Sequence, residues 1–326
     1  MKVSPGDPTS AIWRPAPFEG LPPNSTSSTL DDYLDDIMAG RIVSVAWPWP
    51  ALTQNTFSLL PGSVVLVTGN PGVGKTFLLL QCLQFWAAAG HKTAILFGEK
   101  NVRFYEHRLL AQLEGNGNFV DYDWVPRNGS IVRTAAAKHR GTIAQLSKSF
   151  SIMDREAVSL DNCRGWIRTQ ARDGARVIVV DPITAVGAGE TRWNEDLDFM
   201  KGVQKECEHY GASLILSTHP RKGKIVGGPT GHDVAGGASF FRLADTAIWI
   251  NRLKNPKKVQ YVSPCGLATN NFTTFWHLQK TRDGRGAGSE IAFTFGDGMK
   301  FTEHGVVVKE IKESETESSV HLEQLG

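Results

Sequence analysis

Short, continuously apolar runs alternate with longer segments of helical periodicity from about residue 63 onward. Strands that are apolar at every position are typical of a parallel sheet whose two faces are both covered by helices. The pattern therefore predicts an α/β fold with a mostly parallel central sheet. The predicted strands lie near 63–68, 93–97, 149–153, 176–180 and 212–217.

Two of the helices between these strands can be predicted directly. The segment "KTFLLLQCLQFWAAAG", from Lys75 to Gly90, is apolar around its whole circumference, which predicts a buried helix that ends at the glycine. Residues 193–210 carry an apolar stripe at helical spacing, which indicates a helix that covers one face of the sheet.

After residue 244 the pattern changes to apolar-rich segments that are separated by glycine-containing turns. These segments are "ADTAIWI", "FTTFWHLQK", "SEIAFTF" and "MKFTE". Strands joined by short turns favour antiparallel pairing, so we expect an antiparallel C-terminal extension of the sheet.

The two ends of the chain differ from this core in composition. Residues 1–28 carry six prolines among serines and threonines, which predicts a disordered N-terminal arm. Residues 29–54 are expected to be a linker with a short amphipathic helix, which Thr29 caps and Gly40 ends. Its apolar face would dock on its own domain or on another subunit, because so short a helix is unstable alone. Residues 55–308 form the predicted core domain, and the polar, mostly acidic residues 309–326 a disordered tail.

Composition limits the classes of function. The formal net charge of +2 gives no global attraction for nucleic acid, so any such contact needs a local basic patch. The 4 cysteines are widely spaced, which argues against a disulfide framework or a zinc site. With neither a long apolar run nor a signal-peptide core, we expect a cytoplasmic protein without membrane contact.

A glycine-rich segment between the first predicted strand and its helix carries the strongest chemical signal. The segment "GNPGVGKT" fits the G-x-x-x-x-G-K-[ST] phosphate-binding motif. Its residues are Gly69, Asn70, Pro71, Gly72, Val73, Gly74, Lys75 and Thr76, and Phe77 follows directly. Backbone N–H groups of such a loop and the start of the helix bind phosphates. Lys75 is expected to reach the β- and γ-phosphates and Thr76 to hold Mg²⁺, so the predicted cofactors are ATP and Mg²⁺.

A buried strand ends at Asp181, which brings this carboxylate to the edge of the sheet where ligands of open α/β folds bind. We expect Asp181 to be a second Mg²⁺ ligand, the alternative being an aspartate that merely opens a turn before Pro182. Proline cannot activate a water molecule, so another acid must be the general base. Glu99, just beyond the second strand, is the candidate, unless it is a solvated glutamate paired with Lys100.

Together, the phosphate motif, Glu99, Asp181 and the antiparallel extension resemble the RecA-like ATPases. Within that group the chain is most similar to DnaB-type and plasmid RepA-type ring helicases, over roughly residues 55–300. The segment "GEKNVRFYEHRL" resembles the family segment in which the catalytic glutamate precedes a helix ending in Arg-Leu. The resemblance implies a RecA-like ATPase domain over residues 55–308 and strengthens the assignment of Glu99 as the base.

The resemblance also assigns roles around the strand "ASLILSTHPRKG". His219 takes the place of the residue that senses the γ-phosphate, although a lone histidine is often only structural. The following basic, glycine-rich loop would hold single-stranded DNA through Arg221, Lys222 and Lys224, the alternative being a solvated turn.

Two cations near the end of the chain complete the predicted site. Lys280 and Arg282 in "HLQKTRDGRGAG" are two residues apart and so lie on one side of a strand. In the resembling ring ATPases such a K-x-R pair enters the neighbouring subunit's site, where the arginine acts as a finger on the γ-phosphate. A solvent-exposed basic turn is the alternative.

The leading hypothesis is an ATP-driven, ring-forming helicase or translocase on single-stranded DNA. It is expected to form a homo-oligomeric ring of six subunits and to work with replication proteins. A strand-exchange recombinase that forms filaments and a KaiC-like nucleotide-gated interaction protein remain open alternatives.

Overall fold

The computed structural model describes residues 29–153, 159–186, 193–220 and 238–311. The helices are α1 (Leu30–Met38), α2 (Pro50–Thr56), α3 (Lys75–Ala88), α4 (Val102–Glu114), α5 (Trp124–Arg127), α6 (Gly129–Leu146), α7 (Leu160–Arg172), α8 (Trp193–Tyr210) and α9 (Ala238–Leu243). The strands are β1 (Val64–Gly69), β2 (Thr93–Phe97), β3 (Phe150–Ile152), β4 (Val177–Asp181), β5 (Ser213–Thr218), β6 (Thr246–Ser263), β7 (Gly266–Thr281), β8 (Glu290–Phe295) and β9 (Phe301–Glu310).

These strands form one sheet in the order β3-β2-β4-β5-β1-β6-β7-β8-β9. Neighbours from β3 to β6 pair in parallel, and the pairs from β6 to β9 are antiparallel. The predicted α/β fold with a mostly parallel sheet and an antiparallel C-terminal extension is therefore confirmed, and all five predicted parallel strands are present.

Both faces of the parallel sheet are covered, as their continuously apolar sequences require. Residues of β1 alternate between the two faces: Val65 and Val67 pack with α3 and α4, and Val64 and Leu66 pack with α7, α8 and α9. The predicted helices from Lys75 and over 193–210 correspond to α3 and α8.

The antiparallel extension is larger than the sequence pattern indicated. Strands β6 and β7 are 18 and 16 residues long, whereas the apolar pattern marked only the part of each that lies near β1. Strand β9 pairs with β8 and also with β6, so β6 to β9 close on themselves around a second small core. Much of the distal part is polar and exposed, and Pro256 interrupts its apolar alternation, which explains why the pattern did not mark it as strand.

Two predicted boundaries differ from the structure. Part of the predicted linker belongs to the core, because Trp47, Trp49 and Leu52 are buried beside α3 and the C-terminal strands. The indole Nε1 of Trp49 donates to the carbonyl of Phe301 at 3.0 Å, which ties this segment to β9. At the other end β9 continues to Glu310, so the predicted tail from 309 begins two residues too early. Residues 1–28, which are the predicted arm, and residues 312–326, which are most of the predicted tail, lie outside the described residues.

Helix α1 forms as predicted, but its apolar face is largely exposed among the described residues. Thr29 and Asp32 form a capping box, with Asp32 N donating to Thr29 Oγ1 at 3.1 Å. The side chains of Leu30 and Met38 are 71% and 76% exposed, and Tyr33, Leu34 and Ile37 are also exposed. Docking of this face on its own domain is therefore not observed among the described residues.

Among the described residues, no helix combines the length and apolar character needed to cross a membrane. All four cysteines are free, three of them buried and Cys265 exposed.

Candidate functional site

The phosphate-binding loop connects β1 to α3 at the carboxyl edge of the sheet. Gly72 and Gly74 have φ angles of +83° and +100°, a region that favours glycine over residues with a side chain. A Cβ atom on Gly74 would lie 2.9 Å from the ring of Phe301 in β9. The loop is thus shaped both by its glycines and by the C-terminal strands that pack behind it.

The ammonium group of Lys75 lies inside this loop. It donates to the carbonyl of Gly69 at 2.7 Å and lies 3.4 Å from the carbonyl of Asn70 and 3.3 Å from Nδ1 of His219. Burial lowers the pKa of Lys75 to about 8, although the nearby carboxylates of Asp181 and Glu99 act in the opposite direction. An anion bound in the loop would favour the charged ammonium and raise this pKa again.

Asp181 lies beside the loop at the end of β4. Its Oδ2 accepts a hydrogen bond from Thr76 Oγ1 at 3.1 Å, and its Oδ1 accepts one from the hydroxyl of Ser217. Burial raises the pKa of Asp181, and the two hydroxyl donors together with Lys75 partly oppose the shift. The hydroxyl and carboxylate oxygens of Thr76 and Asp181 are ligands of the kind that Mg²⁺ takes, so these residues fit the ion.

Glu99 follows β2, which is the neighbour of β4 in the sheet. The register pairs Phe97 with Asp181, so the two strands end together and bring Glu99 to the same edge. Its Oε1 lies 3.4 Å from Nε2 of His219, which follows β5. His219 therefore lies between Lys75 and Glu99. The structure thus brings five predicted residues together beside the loop: Lys75, Thr76, Glu99, Asp181 and His219.

Tyr105 supports the segment that carries Glu99, a role that the sequence analysis did not assign. Its ring stacks on Phe97 with centroids 3.5 Å apart, and its hydroxyl accepts from the backbone N–H of Lys100 at 3.3 Å. Burial raises the pKa of Tyr105 to about 12, so the phenol stays protonated at neutral pH. The spacing of six residues between Glu99 and Tyr105 gives no sequence signal of this contact.

Aromatic and cationic side chains border the loop on the side of the C-terminal strands. The ring of Phe295 lies 5.9 Å from that of Phe77, and the guanidinium of Arg252 lies 5.3 Å from the Phe295 ring centroid. Phe77 was predicted from its position after the motif, whereas Arg252 and Phe295 were missed. They are distant in sequence, and only the pairing of β6 to β9 brings them to the loop.

Lys280 and Arg282 lie at the opposite edge of the sheet from the loop. Strand β7 is antiparallel to β6, so its end meets the start of β6 and not the carboxyl edge. Arg282 Nη1 forms an ion pair with Asp245 Oδ1 at 2.6 Å, and Lys280 Nζ donates to the carbonyl of Arg242 at 2.8 Å. The length of β1, roughly 17 Å at the usual rise of a strand, separates this edge from the loop. The single chain does not bring these two cations to its own phosphate site.

The basic loop residues Arg221, Lys222 and Lys224 lie outside the described residues.

A family model described as an AAA domain matches residues 26–224 of the chain. The matched range includes the phosphate-binding loop, Glu99, Asp181 and His219. The chain belongs to the AAA domain family.

Among curated relatives, the Twinkle homolog protein, chloroplastic/mitochondrial, of Arabidopsis thaliana is 24% identical over 239 residues, which are 68% of this chain and 33% of that protein. The DNA repair protein RadA of Mycobacterium tuberculosis is 40% identical over 63 residues, or 19% of this chain and 13% of RadA. The chain thus spans a third or less of the length of these relatives.

Solved structures agree with this assignment at the level of the fold. A DnaB-like replicative helicase, solved in a study of its interactions with primase, aligns with a TM-score of 0.62 at 17% identity and covers 82% of this chain and 64% of its own. The ATPase domain of G40P aligns with a TM-score of 0.61 at 15% identity and covers 85% of this chain and 99% of its own. The predicted RecA-like P-loop fold of the DnaB type is therefore confirmed.

A substitution in the loop tests whether its packing against β9 shapes nucleotide binding. Gly74→Ala should weaken binding of a fluorescent ATP analogue at least about tenfold, because the added Cβ must displace the loop from Phe301. Gly90→Ala is the matched control. Its φ is also positive, at +81°, but its Cβ would meet nothing within 4 Å. The control should cost about 1 kcal/mol of stability and leave the Kd unchanged. Equal Kd values for both variants and the unmutated chain would contradict the account.

Proposed function

We propose that the protein is an ATP-dependent, ring-forming helicase or translocase that moves on single-stranded DNA. The observation that carries the proposal is the convergence of Lys75, Thr76, Asp181 and Glu99 at one sheet edge, beside a motif that binds phosphate. A ring rather than a lone enzyme is proposed because Arg282 is too far from this edge to act within its own chain.

Each residue at the carboxyl edge has a separate proposed role in phosphoryl transfer. The loop N–H groups and Lys75 hold the β- and γ-phosphates and stabilise negative charge on the transferred group. Thr76 and Asp181 would hold Mg²⁺, which when bound neutralises phosphate charge. Glu99 orients a water molecule for in-line attack and accepts its proton. His219, in contact distance of both Lys75 and Glu99, senses whether the γ-phosphate is present.

The base of the nucleotide would lie against Phe295 and Arg252. Both side chains border the loop, and an aromatic ring and a guanidinium plane are surfaces on which a purine can stack. Stacking is tolerant of base identity, so this surface alone does not explain a preference for ATP.

Arg282 and Lys280 would complete the site of a neighbouring subunit. The side chain of Arg282 is 56% exposed at the edge opposite the loop, where it can face another copy of the chain. The uncovered apolar face of α1 supports the same arrangement, since a short helix of this kind needs a surface to dock on. We infer that α1 docks on an adjacent subunit and that the subunits form a homo-oligomeric, hexameric ring.

The proposed nucleic-acid substrate, along which the ring would move, is single-stranded DNA. The fold is shared with a DnaB-like replicative helicase, and the sequence after β5 contains Arg221, Lys222 and Lys224, residue types that suit contacts to phosphates. Replication proteins are proposed as further partners.

A second candidate is a strand-exchange recombinase, and the short similarity to the DNA repair protein RadA of Mycobacterium tuberculosis agrees with a role in DNA repair. The two candidates share the chemistry of ATP hydrolysis and differ in how their subunits assemble.

For the proposed helicase, the ATPase rate should rise at least about tenfold with single-stranded oligonucleotide, and electron microscopy with an ATP analogue should show closed rings. Helical filaments would favour the recombinase. An ATPase rate indifferent to the oligonucleotide would contradict both and favour a nucleotide-gated interaction protein.

The general base is tested by Glu99→Gln. The amide keeps the size of the side chain but cannot accept the proton of the attacking water, so kcat should fall about 100-fold or more. ATP affinity, measured by calorimetry, should change less than about threefold because the phosphates are held by other groups. Glu106→Gln, on the first turns of α4 and paired with Arg103, is the control and should leave kcat unchanged. Near-normal turnover by the Glu99 variant would remove it as the base.

The shared site is tested by mixing two inactive variants. A chain with Arg282→Ala keeps an intact loop, and a chain with Lys75→Ala keeps an intact arginine. Mixed rings would contain interfaces in which the first chain's loop faces the second chain's Arg282, so ATPase activity should reappear and be greatest near equal amounts. No recovery at any ratio, despite mixed assemblies seen by native mass spectrometry, would count against a shared site.

A further inference from the structure

We propose that Asp245 is a positioning residue that holds the guanidinium of Arg282 in place for the neighbouring subunit's nucleotide. This inference rests on the proposed role of Arg282 and adds the residue that makes that role possible.

Asp245 is fixed to the strand that carries the phosphate-binding loop. It directly precedes β6, and its side chain is 8% exposed. Its Oδ2 accepts from the backbone N–H of Val64 at 2.8 Å, and its own N–H donates to the carbonyl of Val64 at 2.8 Å. Val64 is the first residue of β1. One carboxylate oxygen is thus anchored to the rigid parallel sheet.

The other carboxylate oxygen faces Arg282. Arg282 Nη1 lies 2.6 Å from Asp245 Oδ1, and the backbone N–H of Arg282 donates to the carbonyl of Asp245 at 2.9 Å. Both the main chain and the side chain of Arg282 are therefore held by one residue. A charge-assisted hydrogen bond of this length restricts a side chain that otherwise has many rotamers.

This contact leaves room for an anion. A guanidinium has five N–H donors in a planar fork, so it can hold Asp245 through Nη1 and still donate to a phosphate with its other edge. Arg282 also lines a cavity of about 850 Å³ between α1 and the start of the sheet, together with Tyr33, Lys205 and Asp283. The guanidinium is thus held from the sheet side and accessible from the other.

Lys280 is held differently, which separates the two cations. Its Nζ donates to the carbonyl of Arg242 at 2.8 Å and lies 3.4 Å from that of Phe241, both near the end of α9. Asp245 follows α9 by two residues. Lys280 is therefore held by backbone carbonyls near the junction that carries Asp245, whereas Arg282 is the cation that the Asp245 carboxylate itself orients.

The test compares Asp245→Asn with Asp173→Asn in the full chain. In the first variant the amide oxygen of the introduced asparagine can still accept from Val64, but the charge that orients Arg282 is lost. The value of kcat should fall about tenfold with KM for ATP little changed, because the loop of each subunit remains intact. Asp173→Asn removes the same charge from an exposed ion pair with Arg172, outside the site, and should change kcat less than about twofold.

A double variant separates positioning from a merely structural role. In an Arg282→Ala background, Asp245→Asn should cause no further loss of kcat, because the group it orients is already gone. An equal loss in both backgrounds would overturn the inference. If Arg282→Ala leaves kcat unchanged, the proposed function itself fails at this residue. If Arg282→Ala lowers kcat and Asp245→Asn does not, only the positioning role fails.

Mixed assemblies give a second readout that stability effects do not mimic. Subunits with Asp245→Asn keep a working loop, so Lys75→Ala subunits, whose Arg282 is correctly held, should restore their activity. Absence of rescue would mean that Asp245 acts on its own chain's loop through β1 and would overturn the inference. If the asparagine variant does not fold, Asp245→Glu keeps the charge but moves it by one methylene, and the same partial loss of kcat and the same rescue are expected.

Discussion

Strand β1 is the constraint on which the rest of the structure depends. It is buried along its whole length and pairs in parallel with β5 on one side and β6 on the other. Pairing with both neighbours fixes the direction of β1. Its carboxyl end therefore leads into the phosphate-binding loop, and its amino end lies beside Asp245. The two halves of the proposed catalytic unit are therefore at opposite edges of each chain, and under this proposal a complete unit contains parts of two chains.

Charge at the carboxyl edge suits a polyanion bound together with a divalent cation. Lys75 is buried among the carbonyls of its own loop, and burial lowers its pKa to about 8. Asp181 is buried too, and two hydroxyl groups hold its oxygens. A buried ammonium and a buried carboxylate both lose hydration, which their contacts within the chain offset only in part. Phosphate oxygens would stabilise the ammonium and a divalent cation the carboxylate, which explains why a folded protein keeps both groups there.

Sequence patterns predicted the parts of this molecule that rest on local physics. Apolar runs marked the five buried parallel strands, and the phosphate motif marked the loop. Glu99 and Asp181 could be predicted because one follows and the other ends such a strand, and parallel strands end at a shared edge. His219 was predicted from the resemblance to the RecA-like ATPases. Tyr105, Arg252, Phe295 and Asp245 could not, because their roles arise from contacts between segments far apart in the chain or from a side-chain direction that spacing does not fix. The length of β6 was missed for a different reason, since its middle part, "KNPKK", is polar and contains Pro256, which separates the apolar start of the strand from Val259 and Tyr261. The start of β7 is mostly polar and exposed, so it was missed as well.

The central claim is that one nucleotide lies between the loop of one chain and Arg282 of another. A cryo-EM structure of the assembly with an ATP analogue, Mg²⁺ and single-stranded oligonucleotide tests it most directly, through the distance from the Arg282 guanidinium to the γ-phosphate on the adjacent chain. The account predicts a hydrogen-bonding distance of about 3 Å, with Asp245 still in contact with Arg282. An Arg282 side chain that faces solvent, with no phosphate within roughly 8 Å, a distance at which salt already screens such charges, would contradict it.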